Sequence, residues 1–249
     1  MASRRLPGEG RGWTIGGAAA LSPVAVRSTI QDGVYQQLRH ALMTGLFDPG
    51  QVLVVAALAD MCGTSQMPVR EALRRLAAEN AVEIAASGSA RVPAVSRVRL
   101  ADLCQARREI EGFAAELAAR HATEADLAAI EGRAAVHAAS TGDLLSFLAR
   151  NRDFHFTLYR AARSEVLFGI VETLWLRFGP YMRLLTLHLE PDFDASRPVE
   201  GARFHEAALR ALRERRPAAA RKAVAEDIGN TERLLAGLLD APAKRRAAS

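Results

Sequence analysis

The sequence predicts a mainly α-helical protein, with an N-terminal winged helix-turn-helix domain followed by an all-α helical bundle. Three observations carry that prediction. Nearly half of the residues are apolar, Ala and Leu dominate, and aromatic residues make up only 6%, a composition that favours helices over sheets. Residues 58–76 read as two short helices joined by a glycine-containing turn. Beyond residue 96 every segment reads as helix, broken only by polar or proline-containing stretches. A chain of 249 residues has room for two modest domains of this kind.

The first predicted helix covers residues 28–45. Ser28 and Thr29 are candidate caps, and Ile30, Val34, Leu38 and Leu42 recur at helical spacing. Gly45 ends it and Asp48-Pro49-Gly50 makes a turn. Val52-Leu53-Val54-Val55 is a short β-prone run before a helix at 56–61. Gly63 breaks that helix where a left-handed residue costs least. Thr64 or Ser65 is placed to accept a backbone hydrogen bond at the next helix start, and Pro68 falls in the first turn, where a missing N–H is harmless. Val69, Leu73 and Leu76 line one face of this helix, while Arg70, Arg74 and Arg75 point elsewhere. A short helix with polar and Arg side chains at its N-terminal end suits a DNA major groove. Asn80 ends the helical pattern. Val82-Glu83-Ile84 and Ala90-Arg91-Val92 then flank Ala86-Ser87-Gly88-Ser89, which predicts a hairpin, the wing.

After the connector Pro93-Ala94-Val95-Ser96, helices are predicted over 99–120, 123–140, 143–162, 165–189, 198–214 and 217–239. The breaks fall at Thr123, Gly142-Asp143, Arg163-Ser164, Glu190-Pro191-Asp192 and Arg216-Pro217. No internal repeat stands out.

The formal charge of +5 is placed at the ends. Residues 1–27 hold four Arg against Glu9, and residues 241–249 hold Lys244, Arg245 and Arg246, so each tail carries +3 and the stretch between them −1. Bulk charge therefore does not argue for DNA binding by the folded part, and the motif must carry that claim. Residues 1–27 read as a disordered basic tail, since Gly16-Gly17-Ala18-Ala19-Ala20-Leu21 is too short for the apolar core of a signal peptide. The longest apolar runs are too short or too interrupted to cross a bilayer, which predicts a cytoplasmic protein with no membrane partner. Cys62 and Cys104 show no metal-ligand spacing and read as reduced thiols.

The N-terminal third resembles the winged-helix domain of the GntR family of bacterial transcription regulators. The likeness rests on Val34-Tyr35-Gln36-Gln37-Leu38-Arg39, Gly45-Leu46-Phe47-Asp48-Pro49-Gly50, Leu58-Ala59, Pro68-Val69-Arg70-Glu71-Ala72-Leu73-Arg74-Arg75-Leu76, and Gly88 in the wing. The helical remainder resembles the FCD ligand-binding domain of the FadR subgroup. There the likeness rests on Leu103 with Arg107-Arg108-Glu109-Ile110-Glu111, on Asn151-Arg152-Asp153-Phe154-His155, and on Phe204-His205-Glu206. The expected layout is a tail at 1–27, a DNA-binding domain at 28–95, an effector-binding domain at 96–240 and a basic tail at 241–249.

The resemblance implies a DNA-binding regulator, most often a repressor, that acts as a homodimer on the two half-sites of a palindromic operator in double-stranded DNA. Thr64, Ser65, Gln66, Met67, Arg70, Arg74 and Gly88 are its expected DNA-binding residues, with Arg70 the leading base reader. Two positions where family members often carry Arg hold Ala56 and Gln66 here, which predicts an altered operator, since Gln pairs with adenine where Arg reads guanine. In the helical domain, Arg107 matches an Arg that faces the ligand cavity, where a guanidinium holds the carboxylate of a small effector bidentately. Arg203, Tyr181 and Arg183 are further candidates for the pocket lining, while Phe154, Phe156, Leu158, Tyr159, Trp175 and Phe178 are assigned to the core.

The subgroup's metal site combines an Asp and three His. The matching positions here are Asn151, His155, His205 and Asp227, which keep two imidazoles and one carboxylate with the carboxylate in a new place. Such a set suits Zn, Ni, Mn or Fe. Two other readings are a regulator that has lost specific DNA binding and an enzyme built on the His155/His205/Asp227 metal. The second lacks a general base, oxyanion donors and a substrate loop, so the chain is expected not to be an enzyme.

Overall fold

The computed structural model describes residues 30–86, 88–138, 144–189 and 201–240, together with two short strands, β1 (Thr14–Ile15) and β2 (Ala18–Ala19). These strands pair antiparallel within the segment expected as a disordered tail. The rest of that tail, the candidate caps Ser28 and Thr29, Ser87 of the wing turn, the Gly142-Asp143 and Glu190-Pro191-Asp192 breaks and the tail at 241–249 lie outside the described residues.

Helix α1 (Ile30–Met43) turns Val34, Tyr35, Leu38 and Leu42 inward at helical spacing. They pack on α3 (Gln66–Ala78), whose Val69, Ala72, Leu73 and Leu76 form the opposing stripe. Between them lie β3 (Val52–Leu53) and α2 (Val55–Met61), so the β-prone run yields a strand at its start and a helix at its end. Gly63 sits at φ +60, the conformation the turn between α2 and α3 demands. Ser65 is the N-cap of α3, yet its side chain makes no cap hydrogen bond, contrary to the sequence expectation. Thr64 uses its backbone N–H to close the preceding turn on the Ala59 carbonyl, at 3.0 Å. The wing is β4 (Glu83–Ile84) and β5 (Ala90–Arg91), and β3 joins β5 on its other side to give the strand order β3-β5-β4. Val52 and Glu83 both pair with Arg91, from opposite edges.

The second domain comprises α4 (Arg97–His121), α5 (Glu124–Ala138), α6 (Leu144–Arg160), α7 (Glu165–Leu189), α8 (Ala202–Arg213) and α9 (Pro217–Asp240). Ser96 caps α4, its hydroxyl accepting from the Arg99 N–H at 3.2 Å. Small residues Ala114, Ala115 and Ala118 on α4, with Ala220 and Ala223 on α9, let these two helices lie close along their length. The Arg108–Glu232 and Arg221–Glu109 ion pairs flank the same seam.

Helix α7 also touches the first domain. A Cβ built on Gly179 would overlap the carbonyl oxygen of Leu42 in α1. Further along α7, Arg183 Nε pairs with Asp48 of the first domain at 2.6 Å, and Tyr181 Oη donates to the carbonyl of Ser96, at the end of the connector, at 3.0 Å. Pro180 follows Gly179 inside the helix and removes one backbone donor from the turn at this crossing. The two domains therefore meet backbone to backbone. Gly179→Ala is expected to lower stability by about 1–3 kcal/mol through this overlap. Gly169→Ala, on the same helix with nothing within 4 Å of the added carbon, is expected to be neutral or stabilising. Thermal unfolding of both variants checks the contrast, and equal melting temperatures would contradict it.

Candidate functional site

The start of α3 presents Ser65, Gln66, Met67, Arg70 and Arg74 to solvent, with Thr64 half-buried beside them. Met67, at 64% exposed, stands clear of the core at the start of this helix. Arg70 Nη2 donates weakly to Gln66 Oε1 at 3.4 Å, and Arg74 sits 3.5 Å from Glu71. Gly88, at φ +81, forms the wing turn, its N–H bonded to the Ala85 carbonyl at 2.8 Å. Arg70, Arg74, Ile84 and Gly88 line one recess of about 230 Å³, so recognition helix and wing form a continuous face. The structure thus brings Gly88 of the wing beside Arg70 and Arg74 of the recognition helix.

The second domain encloses a cavity of about 380 Å³ to which all six of its helices contribute. Its walls are largely apolar, with Leu148, Met182, Leu185 and Leu234 among them, and several of its polar groups belong to one connected row. Arg107 of α4 reaches inward and is 5% exposed. It is held by Glu111, one turn on: Nε donates to Oε1 at 2.6 Å and Nη2 to Oε2 at 3.4 Å. Glu111 is fully buried and also accepts from Tyr159 Oη at 2.7 Å and Trp175 Nε1 at 2.9 Å. Burial opposes the charge on Arg107, but the Glu111 carboxylate outweighs it and holds the guanidinium above its ordinary value. The Arg107 guanidinium also lies 4.2 Å from the Phe178 ring centre.

Tyr159 carries the row onward, 3.1 Å from His155 Nδ1. Burial and Glu111 together keep the phenol proton in place, well above its usual range. With its O–H given to Glu111, the Tyr159 oxygen accepts from His155 Nδ1–H, and this assignment turns the His155 Nε2 lone pair toward Asp227 and His205. His155 Nε2 lies 3.1 Å from Asp227 Oδ2 and 3.2 Å from His205 Nε2, and the remaining side of this triangle is 3.7 Å. Burial pushes the Asp227 carboxyl up, but the adjoining His155 and His205 rings outweigh it and hold it far below the ordinary range. Burial lowers His205 against the pull of Asp227. Beyond His205, His137 of α5 has its ring centre 5.3 Å away; burial, reinforced by His205 and His155, holds it down at about 4, and its Nδ1 has no partner among the described residues.

Three donor atoms converging at 3.1–3.7 Å match the spacing that one cation imposes. Bonds of about 2.1 Å place ligands about 3.0 Å apart at right angles and about 3.4 Å apart in a tetrahedron. His155, His205 and Asp227 are the described residues that form such a group, and Asn151 lines the same cavity one turn before His155. His155 also has the hydrogen-bonded second nitrogen typical of a ligating imidazole. The residues present therefore fit a divalent metal.

Several expectations change. Tyr181 and Arg183 face the domain junction rather than the cavity, because α7 buries residues all round and its sequence does not mark which face meets which partner. Arg203 is exposed, with its guanidinium 4.7 Å from the Phe204 ring centre, and does not line the cavity. Trp175 and Phe178, assigned to the core, are buried but form part of the cavity wall. Tyr159 is a link in the polar row as well as a core residue. Glu111 was part of the quoted motif, and its signal is a carboxylate four residues after Arg107 on an otherwise apolar helix face. His137 has no comparable signal in the sequence.

Comparison with known proteins agrees with this architecture. Residues 30–92 match the gntR family of bacterial regulatory proteins, and residues 102–230 match the FCD domain. The HTH-type transcriptional regulator McbR of Escherichia coli is 33% identical over 160 residues, covering 64% of this chain and 72% of that protein. A probable D-xylose utilization operon transcriptional repressor of Paenarthrobacter nicotinovorans is 28% identical over 191 residues, covering 74% of this chain and 82% of the relative. The solved structure of E. coli McbR/YncC superposes with a TM-score of 0.76 at 29% identity, over 83% of this chain and 97% of that one. A putative regulator from Rhodococcus sp. RHA1 shares the fold at a TM-score of 0.64 and 19% identity. These matches are to transcriptional regulators, not enzymes. With a winged helix whose arginines face outward beside the wing, and a helical domain built around one polar cavity, the chain belongs to the GntR family of DNA-binding transcriptional regulators, in the branch that carries an FCD domain.

Proposed function

We infer that this regulator is an operator-binding repressor, acting as a homodimer in the cytoplasm. Its DNA affinity is set by a small carboxylate held in the helical domain beside a divalent metal. The observation that carries this reading is the connected polar row from Arg107 to Asp227 bordering a largely apolar cavity. Asn151, His155, His205 and Asp227 would hold the metal, which when bound offers a Lewis-acid site for a carboxylate oxygen. Arg107 spends two N–H groups on Glu111 and keeps the others for the ligand. Glu111 fixes that guanidinium, and Tyr159 fixes the His155 tautomer, so both ends of the site are oriented before the ligand arrives.

At the DNA face, Arg70 is the base reader and Gln66 its neighbour. The uncommitted Ser65 hydroxyl and Thr64 serve phosphates, Met67 packs on the groove, Arg74 approaches the backbone, and Gly88 lets the wing come close. The repressor role follows that of the Paenarthrobacter relative. A dimer follows from the palindromic sites that two such helices read.

Arg70→Ala is expected to weaken selective binding to operator DNA by about tenfold to a hundredfold without loss of fold, since the side chain is exposed. Fluorescence anisotropy on operator and scrambled fragments reads this, and unchanged selectivity would remove Arg70 from base readout. For the metal, Tyr159→Phe is expected to lower divalent-cation affinity about tenfold or more, and His205→Ala to abolish stoichiometric loading. Competition against a chromophoric chelator measures both, and wild-type affinity in both variants would contradict the assignment.

A further inference from the structure

A second polar recess, of about 340 Å³, lies between the two domains. One wall is α1 and the other is built from α5, α6 and α7. Four guanidinium groups line it: Arg39 from α1, Arg133 from α5, and Arg152 and Arg160 from α6, joined by His40. Only two carboxylates, Asp153 and Glu172, share the space. Arg152 pairs with the neighbouring Asp153 at 3.0 Å, and Arg39 sits 3.8 Å from Glu172 and 3.6 Å from Glu79 outside the recess. Arg133 and Arg160 have no carboxylate partner among the described residues, and Arg160 instead lies 4.4 Å from the Phe168 ring centre.

This concentration of charge is local. The chain between its basic tails carries a net −1, so the excess of cations here does not follow from a basic surface at large. Like charges brought together in a concave site repel unless an anion joins them, and guanidinium forks match phosphate and carboxylate oxygens. The volume lies within the range of small-ligand sites. The carboxylates of Asp153 and Glu172 in the recess repel an extended polyanion more than a single compact group. None of the residues assigned to DNA readout or to the effector cavity lines it.

We propose that this interdomain recess binds a compact phosphate group, free or as a monoester, through Arg133, Arg152 and Arg160, with Arg39 of the DNA-binding domain closing the opposite wall. Because its walls belong to both domains, the bound anion favours the arrangement in which α1 rests on α7 over any in which the domains part. This is a site separate from the cavity, and it stands whether or not the cavity takes a metal.

The test is calorimetric titration of the full-length protein with inorganic phosphate and, separately, glycerol 3-phosphate, at ionic strength held constant with chloride. Saturable binding is expected, one anion per chain, and the probe bound more tightly identifies the free or esterified form as the better ligand. The double variant Arg133→Gln/Arg160→Gln is expected to bind about tenfold more weakly or worse. Arg120→Gln/Arg216→Gln, which removes two exposed guanidiniums elsewhere, is expected to bind like the wild type. Arg152→Gln alone is expected to weaken binding in the same direction as the first pair. No saturable binding of either probe, full affinity in the first double variant, or equal loss in both double variants would each overturn the proposal.

Discussion

The close crossing of α7 over α1 at Gly179 and Leu42 is the constraint on which the rest of the molecule depends. Only a residue without a side chain permits this approach, and the contact leaves no slack for one domain to shift while the other stays. Helix α7 has two further duties. Trp175, Phe178, Met182 and Leu185 line the cavity, while Tyr181 and Arg183 are fastened to Ser96 and Asp48 at the base of the winged helix. A displacement of α7 by a ligand is therefore felt directly by α1, and α1 is the helix against which the recognition helix α3 is packed. Close-packed interiors pass on such shifts rather than absorbing them.

The buried polar row poses a different physical problem. Glu111 and Arg107 are both removed from water, at a cost that their mutual attraction offsets only because the remaining acceptors and donors are satisfied. Tyr159, Trp175 and Arg107 together meet that condition. The far end of the row is less complete: His137 Nδ1 is buried without a partner among the described residues, and three donor atoms crowd around one point at His155, His205 and Asp227. An apolar core would be a simpler way to stabilise six helices. Retaining so many polar groups in one cavity makes sense where something polar enters it.

Much of this was legible in the sequence because the deciding signals are local. Gly63, Pro68, Asn80 and Ala86-Ser87-Gly88-Ser89 punctuate the winged helix in sequence, and the apolar spacing of α1 and α3 names their inner faces. The helices of the second domain were readable to within a few residues from their polar breaks. The positions of His155, His205 and Asp227 followed from motif resemblance, and the fold brings them together across α6, α8 and α9. What sequence did not reveal depends on tertiary pairing. Helix α7 is apolar nearly all round, so the spacing of Tyr181 and Arg183 did not tell cavity from domain junction. Ser65 has the composition of a cap, but its hydroxyl does not bond to the helix it precedes. Glu111 looked like one charge among several on α4 until Tyr159 and Trp175, 48 and 64 residues away, were found to converge on it.

The central claim is that the state of the buried cavity governs how the winged helix meets DNA. The most direct test is the affinity for a DNA fragment from directly upstream of its own gene, measured with metal-stripped protein and again after reloading with a divalent cation, at matched ionic strength. Sequence-selective binding that differs severalfold between the two states is the predicted result. Equal affinity in both states, with selectivity intact, would show that the His155–His205–Asp227 centre does not reach the DNA-binding domain.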